Sequence, residues 1–498
     1  MPTISSNGTG GGNSNSTSTW AGGVVPTDTD DVNIVGGDTV TQDAVHTFNS
    51  LTVNGTFVAS SSYSLTIDGE TGAGRALDIV GTFTHGNGTI TITTAADTLL
   101  RWPSSSEAYN ITINHASCIA RPTGDNKPVI ANDLTITAGE FNTLEGGQNH
   151  ALTVTGKTTI GDASHSSEDQ ATLTCNASTI SLGSGKTDGW AIEMLAGGTF
   201  AGGIGTHTTG AIKQTVANTK FTFTSGTTTI NSEYTSEDRM FELTNGKAYN
   251  ADGRITFTGN FTSCIQWTGP TGDTGPHNIR LNDVNLTLKP RNTLNVEGYM
   301  NIDAGTFNTQ YDGSDKNLTV TGDLDITGTL TCNASEISLG SLTINSGGTY
   351  SATSGTTTIT SESSAGNAIL NSGTFTHNKG TVAIDTDATT QANEGPYYNF
   401  KTIRASLDFY PNGALDIQNN LDIVGDFDFQ NNSHHLTVRG NMTVGDGSTT
   451  TRYGQQSANT NNLTVDGVLT ILGSATTDLS THTTVNLGGI RNVGGTIN

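Results

Sequence analysis

Charge is sparse in this sequence, bulky apolar residues are few, and no apolar run is longer than a few residues. Charged residues make up 13% and apolar residues 33% of the 498 positions. Basic residues are the scarcest: 21 Lys and Arg face 45 Asp and Glu, a net charge of −24. With no basic cluster to neutralise phosphates, nucleic acid is not an expected partner. No segment approaches the roughly 20 apolar residues of a bilayer span, and "MPTISSNGTGGG" has neither the basic start nor the apolar centre of a secretory signal. The expectation is therefore a soluble chain without membrane insertion, not exported by the general route. Four cysteines, Cys118, Cys175, Cys264 and Cys332, lie too far apart for metal-type pairs and read as buried free thiols. Helical periodicity is nearly absent.

What fills the chain instead is Thr, Ser, Asn and 62 glycines, set to a regular beat. "ALTVTG" at 151–156, "NLTVTG" at 317–322, "HLTVRG" at 435–440 and "NLTVDG" at 462–467 each read apolar, polar, apolar, then Gly. That is the period of a half-buried strand closed by a residue free to turn. Disordered chains lack such a beat and usually carry more charge. Only residues 1–19, with "SSNGTGGGNSNSTST", read as a flexible leader.

One phrase occurs twice. "LTCNASTISLGS" (173–184) returns as "LTCNASEISLGS" (330–341), with only Thr179 exchanged for Glu336, and the two cysteines lie 157 residues apart (332 − 175). Upstream, "ITAGEFNT" (136–143) and "IDAGTFNT" (302–309) keep a spacing of 166, as Phe141 and Phe307 show. Successive strands sit 16 to 18 residues apart, as from Ile302 to Leu318 and from Leu134 to Leu152, enough for one circuit of a coil. Copies that keep their strands and vary their turns are what a solenoid tolerates, because each layer touches only its neighbours. The fold expected is all-β: an elongated, parallel, right-handed β-helix of about 20 residues per coil, on the order of 20 to 25 coils. An N-terminal cap would occupy 20–50, with repeat units over 51–220, 221–372 and 373–498 and a turn insertion at about 232–276. The competing architecture, an array of antiparallel sandwiches, would need two-residue Asn-Gly hairpins, which are infrequent here.

The string "WAGGVVPTDTDDVNI" (20–34), followed by "SLTVNGTF" (50–57), "YNITI" (109–113) and "LTVTGDLDITGTLT" (318–331), resembles β-helical repeat proteins of bacteriophage virions and related bacterial or archaeal surface adhesins. The resemblance runs from about residue 19 to the end. It implies a virion fibre, spike or capsid-decorating protein that meets host surface glycans and other virion proteins, assembled as a homo-oligomer such as a trimer. It also leaves open a cell-surface adhesin or surface-layer protein, and a polysaccharide-cleaving tailspike. Because the shared phrases are packing solutions, they say more about architecture than about function.

Chemistry has few candidates. Cleavage of a polysaccharide needs two carboxylates several ångströms apart. The densest acidic pairs, Glu168 with Asp169 and Glu237 with Asp238, both fall in expected turns. Trp102, Trp190, Trp267 and Tyr234 offer flat faces for stacking sugars, beside the plainer reading as bulk for packing. Asp28, Asp30 and Asp31 supply clustered oxygens for Ca²⁺ without the spacing of an EF-hand loop. His434 and His435 are adjacent, so on a strand they point apart and cannot share a metal. The Asn-x-Ser/Thr triplets at Asn176 and Asn333 read as rungs of side-chain ladders. No phosphate loop or nucleophile elbow is present, and no cofactor other than Ca²⁺ is suggested. The leading expectation is a non-enzymatic virion structural protein.

Overall fold

A computed structural model describes residues 1–103, 106–124, 128–249, 252–268, 275–392, 395–429, 434–454, 461–480 and 482–498. Apart from one short 3-10 turn at Thr17–Thr19, the regular structure among these residues is β-strand. The strands stack in parallel as the coils of a β-solenoid of about 18 turns. That is fewer than the 20 to 25 expected, because many corners are longer than a minimal turn. From Phe141 to its partner Leu173 the chain travels 32 residues, from Leu173 to Phe200 27, and from Phe200 to Phe221 21.

Contacts divide the chain into two units. The first holds residues 1–256 and 266–273, the second 257–265 and 274–498. Within the first, Leu152, Ile180, His207 and Thr228 occupy successive layers of one column. Within the second, Phe307, Leu330, Tyr350 and Phe375 do the same. The local rule is visible in Thr89–Ile92, where Thr is half-exposed and Ile buried in alternation. Each strand turns one side inward, and its backbone bonds go to the layers on either side, so a layer needs no core of its own. A buried Leu, Ile or Phe contributes about 1.5 to 3 kcal/mol, and identical columns repeat that gain coil after coil. Among the described residues, antiparallel pairing appears in two short hairpins and three isolated bridges, which rules out the sandwich alternative for these ladders.

The leader is not a loose tether. Thr3–Ser5 pairs in parallel with Asp31–Ile34, and Gly11–Asn13 with Thr39–Thr41. A parallel ladder is made by backbone groups alone, so a segment without apolar alternation can still join it. Gly11 (φ +84°) lies so close to the next strand that a Cβ would meet the Thr39 carbonyl oxygen at 2.1 Å. Trp20, 2% exposed, is buried behind this first layer and donates its indole N–H to the Ser14 carbonyl at 2.8 Å. The cap therefore includes the leader.

The stretch expected as an insertion at about 232–276 adds coil instead. Arg239–Leu243 pairs with Ile212–Gln214, and Lys247–Tyr249 with Lys220–Thr222, all in parallel register. Residues 250–251 and 269–274 of that stretch lie outside the described residues.

The doubled phrase builds the same corner twice. In the first copy, Thr143 Oγ1 donates to the Cys175 carbonyl at 2.8 Å and meets Ser178 Oγ at 2.8 Å. Asn176, held at φ +52°, donates its amide to Asn142 Oδ1 at 2.9 Å. In the second copy, Thr309 Oγ1 donates to the Cys332 carbonyl at 2.8 Å and meets Ser335 Oγ at 2.7 Å. Asn333, also at φ +52°, donates to Asn308 Oδ1 at 2.8 Å. Cys, Asn and Ser of the phrase thus lock onto the Asn-Thr of the coil before. A two-strand hairpin rises directly from each Asn-Thr: Leu144–Glu145 with Gln148–Asn149, and Gln310–Tyr311 with Ser314–Asp315.

Candidate functional site

The first hairpin closes through Gly146 (φ +55°) and Gly147 (φ +79°), a two-residue turn that only positive φ at both positions allows. Asn142 Oδ1 fixes its base by accepting from the Leu144 N–H at 2.9 Å, and His150 N–H returns to the Thr143 carbonyl at 2.8 Å. Its flank is tied to the neighbouring strand Asn110–Pro122. There Arg121 Nη1 donates to the Leu144 carbonyl at 2.8 Å and Nε to Asp97 Oδ1 at 2.7 Å. Thr123 Oγ1 donates to Glu145 Oε2 at 3.3 Å.

Between hairpin and coil lies an open cleft of about 480 Å³, lined by Gly74, Asp97, Leu99, Arg121, Leu144, Glu145, Gly146 and Gly147. The Asp97 carboxylate is 54% exposed and the Arg121 side chain 22%, so their ion pair adds under about 1 kcal/mol of stability. Its value lies in placing a guanidinium and a carboxylate side by side at the mouth. The buried His150, outside the cleft's lining, holds Nε2 4.0 Å from the Glu145 carboxylate. The lining offers acceptors, one fork of donors and no aromatic ring, a set that suits several hydroxyls of one polar ligand.

None of the residues singled out from the sequence lines this cleft. Glu168 sits in the turn between Thr158–Ile160 and Ala171–Thr174, paired to Lys247 at 2.8 Å. Asp169, at φ +60°, accepts from Thr199 Oγ1 at 2.7 Å. Glu237 and Asp238 (φ +51°) belong to a different corner, between Thr227–Ile230 and Arg239–Leu243, where Glu237 meets Arg239 at 3.0 Å. The two acidic pairs therefore lie in different corners of the coil. Glu168 and Asp169 tie their turn to the strands of Lys247 and Thr199, while Glu237 pairs within its own corner.

Of the two readings of the large rings, sugar platforms or packing bulk, burial selects packing for the tryptophans. Trp102 is 2% exposed, and Trp190 and Trp267 are 6% each. Trp267 stacks on Phe223 at 5.9 Å between ring centres, while Trp190 packs against half-buried Tyr234 at 5.4 Å with the Lys213 ammonium over its face. A solenoid interior takes large flat groups readily, so these rings pack and do not present faces to solvent.

Asp30 accepts from the Thr27 N–H and hydroxyl, both at 2.8 Å, and Asp31 accepts from Asn49 Nδ2 at 2.7 Å and Ser50 Oγ at 2.6 Å. Asp28 acts on Asp68, whose carboxyl is raised first by burial and then by that neighbouring charge. The three acids do not converge into a Ca²⁺ cage; among the described residues no group of three or more His, Cys, Asp or Glu does. His434 is half-buried, while exposed His435 accepts from the Asn462 N–H at 3.1 Å. All four cysteines are buried thiols outside any disulfide, with burial pushing Cys118 and Cys332 up to about 12.

Asp97, Arg121 and Glu145 went unnoticed in the sequence. Their signal was "EGGQ", a two-residue Gly-Gly turn between short flanks, matched by "YDGS" in the second copy. No helix among the described residues is long and apolar enough to cross a membrane. No family model, curated protein or solved structure matches this chain.

Proposed function

We propose that this chain is a structural and attachment protein of a phage particle, a β-solenoid serving as fibre, spike or capsid decoration, whose work is mechanical and adhesive. One observation carries the reading: the letters that the sequence repeats are consumed by architecture. Cys175, Asn176 and Ser178, and again Cys332, Asn333 and Ser335, are buried or bonded in the same corner. A chain that copies its corners is selected for stacking. The strongest acidic pairs are engaged in turns, which favours adhesion over cleavage. The cleft beside the first hairpin, with its acceptors and guanidinium, is the surface proposed to meet hydroxyl-rich host glycans.

The test is mass spectrometry of purified particles, combined with immunogold labelling of infected cells. Recovery of this chain from particles supports the reading. Recovery from cell envelopes alone overturns it in favour of a surface adhesin, and release of sugar from host capsule by the purified protein overturns its non-catalytic part.

A further inference from the structure

Inside the first unit three buried polar side chains share one small hollow among apolar neighbours. The strand His207–Thr209 turns both His207 and Thr209 inward, and Thr228 of the next layer pairs directly with His207. All three are buried, with relative exposures of 3%, 2% and 3%. His207 Nε2, Thr209 Oγ1 and Thr228 Oγ1 have no protein hydrogen-bond partner. They border one enclosed cavity of about 10 Å³, walled otherwise by Ile180, Leu182, Ile192, Phe200, Phe221 and neighbouring side chains. Three orphaned buried polar atoms facing a single small hollow are costly, since each gives up its hydration without a compensating hydrogen bond.

The ring's chemistry narrows what could sit there. The Gly202 backbone acts on the His207 ring in the direction of protonation, and Nε2 is the ring nitrogen with no partner, so we place the ring proton on Nδ1, toward Gly202. In the neutral ring Nε2 is then an acceptor that needs an O–H or N–H aimed at it. The hollow matches the space that one water centre occupies, and a buried water commonly has two to four polar partners. Nothing larger fits without moving Phe200 or Ile192.

We propose that this cavity is a structural hydration site, occupied by one water that donates to His207 Nε2, donates to the hydroxyl oxygen of one threonine and accepts from the hydroxyl of the other. The water completes an otherwise unpaired polar cluster and pins the two layers together from inside, a polar rivet in an apolar column.

A crystal structure at about 1.2 Å decides it. The expected result is one density peak within about 2.6 to 3.2 Å of His207 Nε2 and of both Thr209 and Thr228 oxygens. A dry cavity overturns the proposal, as does a rotated Thr228 whose own hydroxyl reaches Nε2 directly. In parallel, ¹⁵N spectra of histidine-labelled protein are expected to show His207 in the Nδ1–H form. An Nε2–H form overturns the proposal. The conservative variant Thr228→Val, crystallised under the same conditions, is expected to lose or weaken the peak while His207 keeps its rotamer. An undiminished peak in that variant would show that the site does not use Thr228, against the assignment.

Discussion

Replacing Thr309 by Val removes one buried hydroxyl while keeping nearly the same shape. The hydroxyl donates to the Cys332 carbonyl and meets Ser335 Oγ, both partners being under 2% exposed. The Cys332 carbonyl keeps a second donor in the Ser335 N–H at 3.0 Å, so the damage falls on the Ser335 hydroxyl, left buried and unpaired. Two lost bonds at about 1 kcal/mol each and one orphan give a local cost of about 2 to 3 kcal/mol. Because a solenoid layer depends only on its neighbours, the cost stays in that corner. Hydrogen exchange at the Cys332 and Ser335 amides is expected to accelerate about 30- to 150-fold, at 1.36 kcal/mol per decade. The twin amides of Cys175 and Ser178, which sit in the same geometry over Thr143, serve as an internal control and are expected to be unchanged. Adding Ser335→Ala to the variant removes the orphan and is expected to recover about 1 kcal/mol or more, a coupling read from the double-mutant cycle. Less than threefold acceleration at Cys332 and Ser335, or equal acceleration in both copies, would refute the claim that the doubled phrase is a locally acting hydrogen-bonded corner.

Three further outcomes follow from burial. His207, its ring lowered from 6.5 to about 4 chiefly by burial and against the Gly202 bond, is favoured neutral in the fold. Its contribution, roughly 3 kcal/mol, is present above pH 6.5 and lost as pH falls from 6.5 through 4; exchange of the His207–Thr209 amides at pH 7 and pH 4 measures it, and His207→Leu is expected to flatten the dependence. All four tryptophans, Trp20, Trp102, Trp190 and Trp267, are at most 6% exposed, so emission is expected to be blue-shifted and poorly quenched by iodide, with or without glycans present. The four buried thiols are expected to react with a disulfide reagent only on denaturation, and fast reaction of any one in the native protein would contradict its burial.

The coiled architecture was legible because its signal is redundant. Leu152–Val154, Leu318–Ile326 and Leu436–Val438 each announce a strand by alternation, and the doubled phrase shows that the alternation is copied. The leader was illegible because parallel pairing of Thr3–Ser5 and Gly11–Asn13 rests on backbone groups, which leave no trace in side-chain pattern. The tryptophans left two readings open in the sequence, and the structure takes the packing one: in a period-two chain a large ring at an inward position is buried although its neighbours are outward and polar. The cleft was half legible, since "EGGQ" marks the hairpin, whereas the approach of Arg121 to Leu144 depends on how two coils superpose over 23 residues of chain. His207 carries no sequence mark beyond standing where its column elsewhere has Leu152 and Ile180.

The claim beneath all of this is parallel stacking with side chains in columns. An experimental density map tests it most directly. It is expected to show Phe141, Leu173, Phe200 and Phe221 in four successive layers about 4.8 Å apart, on strands running the same way. Antiparallel neighbours at these positions, or separate sheets each enclosing its own core, would contradict it.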